Sequence, residues 1–228
     1  RAVSSKSGSA DVLAALGVNI HAPKEVVEQC VDEIGIGFLF APNCHPAMKY
    51  AAPVRREMGV RTLFNVLGPL TNPASAPRQL MGVFAQDLTT PLALVLGQLG
   101  SDFAWVIHGE DGLDEITVCG KTTVTQWDGA AVSQLSIEPD KLGLATYPEQ
   151  ALKGGSPQEN AQTLSQVLQG KLNGAIKDAV VINAGAALLV SGTVSDLSEG
   201  MQKASSILDA GAAYDILTEL IDATNKTP

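Results

Sequence analysis

Apolar positions along this chain recur at two spacings, and together they predict strands separated by helices. After the small, polar opening RAVSSKSGS, the pattern turns helical through Leu13 and Leu16, with Ser9 or Asp11 placed to cap the helix. Pro23 suits a first helical position, and Val26, Val27, Cys30, Val31 and Ile34 then share one helical face. The run IGFLFAP, from Ile36 to Pro42, is short and almost continuously apolar, as expected of a strand covered on both faces. His45 to Met58 returns to helical spacing with Pro53 as a kink, and TLFNVLGPLTNP closes on Gly, Pro and Asn punctuation. Gln79 to Phe84 reads as a strand, Pro91 to Leu99 as a helix, and Phe103 to Gly109 as another buried strand. Beyond the loop GEDGLDE, the segments ITV and TTVTQW predict strand, turn, strand. Residues 130–156 show no clear period. Ser156 and Pro157 open a helix that runs towards Gly170, Lys177 to Ser191 is an apolar, buried helix, and Asp196 to Leu208 and Tyr214 to Ile221 are amphipathic helices.

Strands alternating with helices predict an α/β fold. Its central sheet is mostly parallel, with helices on both faces and one antiparallel hairpin added after Glu115. The whole of residues 1–228 is expected to form a single α/β domain. In such sheets ligands gather at the carboxyl ends of the strands. Two loops fall there: NCHP after the first predicted strand and GEDGLDE after the third.

Composition narrows the partners. The formal net charge is −9 and no Arg/Lys cluster occurs, which argues against nucleic acid. No apolar run is long enough to span a membrane. Cys30, Cys44 and Cys119 have no paired spacing, which fits neither a disulfide framework nor a zinc site and suits a reducing, cytoplasmic setting.

Three groups of residues could carry chemistry. Ser4, Ser5, Ser7, Gly8 and Ser9 form a hydroxyl-rich loop leading into a helix, able to hold an anion. The same composition also suits a plain capped terminus. Arg55 shares an apolar face with Met48, Ala51, Ala52 and Met58, where a guanidinium needs a carboxylate or phosphate partner or an internal ion pair. Asp114 and Glu115, with Glu110 and Asp111 nearby, could hold magnesium together with substrate phosphates, or could be a solvated acidic turn. His45 and His108 each follow a predicted strand and are weaker candidates.

Read together, these segments resemble one family. RAVSSKSGSADVLAALG is similar to the segment following Lys-His-Gly-Asn in anthranilate phosphoribosyltransferases, and nucleoside phosphorylases of the same fold share a version of it. HPAMKYAAPVRREMGVRTLFNVLGPLTNP, QLMGVF, HGEDGLDEIT and NAGAAL resemble the transferases specifically. The resemblance implies transfer of the phosphoribosyl group of phosphoribosyl pyrophosphate (PRPP) to the amino group of anthranilate, through a loose, oxocarbenium-like displacement. It places Arg1, Ala2, Val3, Ser4, Ser5 and Ser9 at PRPP, Arg55 at anthranilate, and Asp114 and Glu115 at Mg2+. It also implies a homodimer, and the family's N-terminal helical region and Gly-Thr-Gly-Gly-Asp pyrophosphate loop are both absent from this sequence. The alternatives are a pyrimidine nucleoside phosphorylase of the same fold and a ligand-binding domain without catalysis.

Overall fold

A computed structural model describes residues 7–47, 50, 57 and 64–226. In chain order the elements are α1 (Ser9–Ala15), α2 (Lys24–Ile34), the single turn α3 (Ala41–Cys44), α4 (Phe64–Leu70), β1 (Arg78–Gly82), α5 (Thr89–Gln98), β2 (Phe103–Gly109), β3 (Thr122–Trp127), β4 (Val132–Ile137), α6 (Pro157–Leu168), α7 (Ala175–Ser191), α8 (Leu197–Asp209) and α9 (Ala212–Asn225). The chain divides into two compact units. One comprises Arg1–Thr62, Lys153–Leu172 and Ile207–Pro228, and the other Leu63–Leu152 and Asn173–Ser206.

The first unit is helical. Val18, Cys30, Leu217 and Leu220 form its buried core, with Leu13, Leu16, Val26, Ile34, Leu168 and Ile221 packed around them. The loop after α1 is fastened to α9 by polar bonds. Thr224 Oγ1 accepts from the Asn19 amide, Asn19 Nδ2 donates to the Thr224 carbonyl, and Asn225 Nδ2 donates to the Gly17 carbonyl. The amphipathic spacing expected for α2 appears as a single deeply buried residue, Cys30, while Val31 is 51% exposed. Pro23 stands at the N-cap of α2, one place earlier than its expected first helical position.

The second unit holds a four-stranded sheet in the order β1-β2-β3-β4. Here β1 and β2 run parallel, and the β2/β3 and β3/β4 pairs are antiparallel. Met81, Ala104, Val106 and Trp127 turn one face of the sheet to Leu92, Ala93 and Leu96 of α5. The opposite face meets α7, where Arg78 donates through Nη1 to the Val190 carbonyl. Helices therefore cover both faces, as expected. Helix α7 also crosses α8 closely, since a Cβ on Gly185 or Gly200 would overlap the backbone of the other helix.

Two expected strands are corrected. Ile36 to Pro42 forms no strand: residues 36–40 have no regular structure and Ala41 begins α3. Gly35, with a left-handed φ of 84°, ends α2, and the chain then packs back against it, so that a Cβ on Gly37 would lie 2.7 Å from Val31 Cγ2. Phe40 meets His21 edge-on and stacks with Phe38 in place of a sheet partner, while Ile36 and Leu39 stay 45% and 39% exposed. This segment was to supply a parallel strand, which is why parallel pairing among the described residues is confined to β1 and β2. The segment ITV, Ile116 to Val118, is fully buried but is not a strand: side chains occupy both backbone groups of Ile116 and the Thr117 amide. The antiparallel addition is instead β3 turning into β4 at Asp128 and Gly129.

Candidate functional site

The loop after β2 leaves the carboxyl end of the parallel pair and folds back over it. The backbone carbonyl of Asp114 rests against Gly82, the last residue of β1, where any Cβ would overlap it. At the end of β2 the Gly109 amide donates to the Leu113 carbonyl at 2.8 Å and closes the turn.

The four acids of this loop divide into two kinds. Asp111 Oδ1 accepts from the Leu113 amide, and its Oδ2 accepts from the Thr117 hydroxyl. Glu110 accepts from the Lys121 amide through Oε2. Both are engaged in shaping the loop. Asp114 and Glu115 are exposed, and among the described residues neither carboxylate accepts a hydrogen bond or forms an ion pair. Withdrawal from water by surrounding protein raises the Glu115 pKa above the ordinary glutamate range, although the residue keeps an exposed surface, and the Asp114 charge adds to the rise. Two adjacent, unneutralised carboxylates at a strand end favour a cation. Among the described residues no group of three or more His, Cys, Asp and Glu side chains could by itself hold a metal ion. A pair of carboxylates fits magnesium, which commonly keeps water and substrate phosphates for its remaining positions.

Sequence reasoning overlooked Asn183, which bonds the backbone just after this pair. Asn183 of α7 accepts from the Ile116 amide through Oδ1 at 2.9 Å and donates through Nδ2 to the Ile116 carbonyl at 2.8 Å and the Ala179 carbonyl at 2.9 Å. Ile116, next to Glu115, is only 1% exposed. The signal was a lone amide in the apolar run from Lys177 to Ser191.

Ser9 is exposed and stands first in α1. It does not cap the helix: Gly8 is the N-cap, and its amide donates to Asp11 Oδ2 at 3.1 Å. Just before it, the Ser7 hydroxyl accepts from Asn160 Nδ2 at 3.1 Å, while Asn160 Oδ1 accepts from the Gly155 amide at 2.8 Å. The opening loop is thereby joined to the start of α6, which Ser156 and Glu159 cap reciprocally. Arg1, Ala2, Val3, Ser4, Ser5 and Arg55 lie outside the described residues, as does most of the helix expected from His45 to Met58. His45 is half-buried at the end of α3. His108 Nδ1 lies 2.8 Å from the Val83 carbonyl, so that nitrogen carries the proton and ties the ends of β1 and β2.

Comparison with known proteins extends these observations. The chain is 52% identical over 221 residues to an anthranilate phosphoribosyltransferase of Rhodospirillum rubrum, covering 97% of this chain and 63% of the relative. It is 51% identical over 224 residues to that of Azorhizobium caulinodans, covering 98% and 65%. The chain thus spans a little under two thirds of the length of these curated relatives. The crystal structure of anthranilate phosphoribosyltransferase from Thermus thermophilus superposes with a TM-score of 0.92 at 43% identity, over 99% of this chain and 67% of that one. The Saccharomyces cerevisiae enzyme in complex with PRPP and Mg superposes with a TM-score of 0.87 at 29% identity, over 95% and 62%. Its complex with 4-fluoroanthranilate gives 0.87 at 30% identity, over 95% and 63%. Residues 1–214 match the profile of the glycosyl transferase family, a/b domain, and the chain belongs to that family.

Proposed function

We propose that the protein carrying this chain transfers the phosphoribosyl group of PRPP to the amino nitrogen of anthranilate, giving N-(5-phosphoribosyl)anthranilate and pyrophosphate for tryptophan synthesis. The observation that carries this reading is the exposed pair Asp114–Glu115, without a side-chain partner among the described residues, at the carboxyl end of the parallel strands. It is supported by similarity to transferases along nearly the whole chain, one of them seen with PRPP and Mg.

In this reaction the bond from the ribose anomeric carbon to the pyrophosphate oxygen breaks, a carbon–nitrogen bond forms, and the amine loses a proton. Asp114 and Glu115 would hold Mg2+, which when bound would supply charge neutralisation for the leaving pyrophosphate. The protein's own part is to position the reactants and exclude competing water. Ser9 with Arg1, Ala2, Val3, Ser4 and Ser5 binds PRPP through hydroxyl and backbone donors. Arg55 takes the anthranilate carboxylate in a bidentate pair. The same reading gives a cytoplasmic homodimer, which sedimentation and cell fractionation of the full-length protein test.

The test supplies the full-length protein with anthranilate, PRPP and Mg2+, and separately with thymidine and phosphate. Consumption of anthranilate with release of pyrophosphate is the expected result. Phosphorolysis of thymidine without turnover of anthranilate would assign the chain to the nucleoside phosphorylases of this fold instead.

A further inference from the structure

We infer that Asn183 is a positioning residue for the magnesium-bound substrate, holding Asp114 and Glu115 in place through the backbone of Ile116. The inference rests on the proposed role of the acid pair. Asp114 and Glu115 have no side-chain partners of their own among the described residues, so their placement depends on backbone anchors on either side. On one side the Asp114 carbonyl packs on Gly82. On the other, Asn183 takes both backbone groups of Ile116 and anchors itself on Ala179, one turn earlier in α7. The next residue continues the frame, since the Thr117 amide donates to Thr122 Oγ1 at the start of β3 and its hydroxyl donates to Asp111.

This arrangement has the form of an amide standing in for a strand partner. A neighbouring strand would fix Ile116 and its flanks through a ladder, whereas one carboxamide fixes a single residue and leaves the two acids before it facing solvent. Asparagine alone among residues of its size offers an acceptor and two donors at this reach. Aspartate keeps the acceptor for the Ile116 amide but sets an oxygen against the carbonyls of Ile116 and Ala179. Residues supporting a metal's direct ligands typically change metal affinity by about tenfold to a hundredfold when removed.

The experiment uses the full-length protein with Asn183→Ala and Asn183→Asp, beside the double variant Asp114→Asn/Glu115→Gln. Calorimetric titration with PRPP in the presence of Mg2+ measures binding without turnover. Hydrogen exchange at the Ile116 amide reports the anchor, and the Michaelis constant for anthranilate serves as the internal control. The expected result is binding of Mg2+-dependent PRPP weakened about tenfold or more in both Asn183 variants, faster exchange at Ile116, and an unchanged constant for anthranilate. Equal weakening towards both substrates, or failure of both variants to fold, would make Asn183 a core residue only and overturn the inference. So would unchanged PRPP binding in a folded Asn183 variant while the double variant loses it. If the double variant also binds as before, the reading of the acid pair itself fails.

Discussion

Gly82 illustrates how a single residue can set the path of a neighbouring loop. Its lack of a side chain lets the Asp114 carbonyl lie directly on the end of β1. Gly82→Ala must push the loop away, and overpacking of this kind costs about 1–3 kcal/mol. Chemical denaturation should show that loss, and Mg2+-dependent PRPP affinity should fall with it. Full affinity in a destabilised variant would separate the loop's packing from its function. In the proposed reading Arg55 supplies the charge that meets anthranilate. Its expected apolar face and the carboxylate of anthranilate predict that Arg55→Ala raises the anthranilate constant about tenfold to a hundredfold and spares PRPP. Arg55→Lys should restore only part, because lysine lacks the planar fork. A lower melting temperature with intact anthranilate affinity would make Arg55 an ion-pair residue of the fold.

At the scale of elements, what was legible depended on whether local sequence names its own partner. FAWVIHG matches β2 residue for residue, because a strand buried between two layers needs only apolar side chains. Helix α6 announced itself through Ser156 and Pro157, and Glu159 completes the cap within four residues. The run from Ile36 to Pro42 has the same apolar character as β2, but nothing in it specifies a ladder, and it packs on α2 instead. Conversely, VSQLSI gave no clear period, because β4 lies at the end of the strand order with half of its residues exposed. The acid pair was legible as adjacent carboxylates. Asn183 was not, since its partner is 67 residues away in sequence.

The β3–β4 turn yields a prediction in pH. Asp128 accepts from the amides of Ala131 and Ala130, and these bonds hold its pKa below the usual aspartate value. A carboxylate whose folded pKa is lowered stabilises the fold above its unfolded pKa and loses that contribution as pH falls through the folded value. The melting temperature of Asp128→Asn should therefore lie below that of the unmodified protein at neutral pH, and the gap should close as pH drops below about 3.9. A gap that persists unchanged into acid would show that the turn depends on shape, not charge.

Across the whole molecule, the two units differ in how the chain assembles them. The core of the sheet draws on β1, α5, β2 and β3, which are close together in sequence. The helical unit draws on three separated stretches, and its core pairs Val18 and Cys30 with Leu217 and Leu220. Leu217→Ala should remove about 2–5 kcal/mol, the usual loss for a buried leucine. The difference should appear in native-state hydrogen exchange as faster opening of α2, with β2 amides keeping their protection. Matching acceleration in β2 would show that the two units open together.

The interval between Cys30 and Leu217 also matters while the protein is being made. A ribosome adds about 5–20 residues each second, so α2 emerges many seconds before the helix that completes its core. During that time the sheet can already close on neighbours in sequence, while Val18 and Cys30 wait with their apolar side uncovered. A nascent chain halted before Ala212 would therefore be a ready client for holding chaperones, and a fusion partner that hinders α9 would prolong the same exposure.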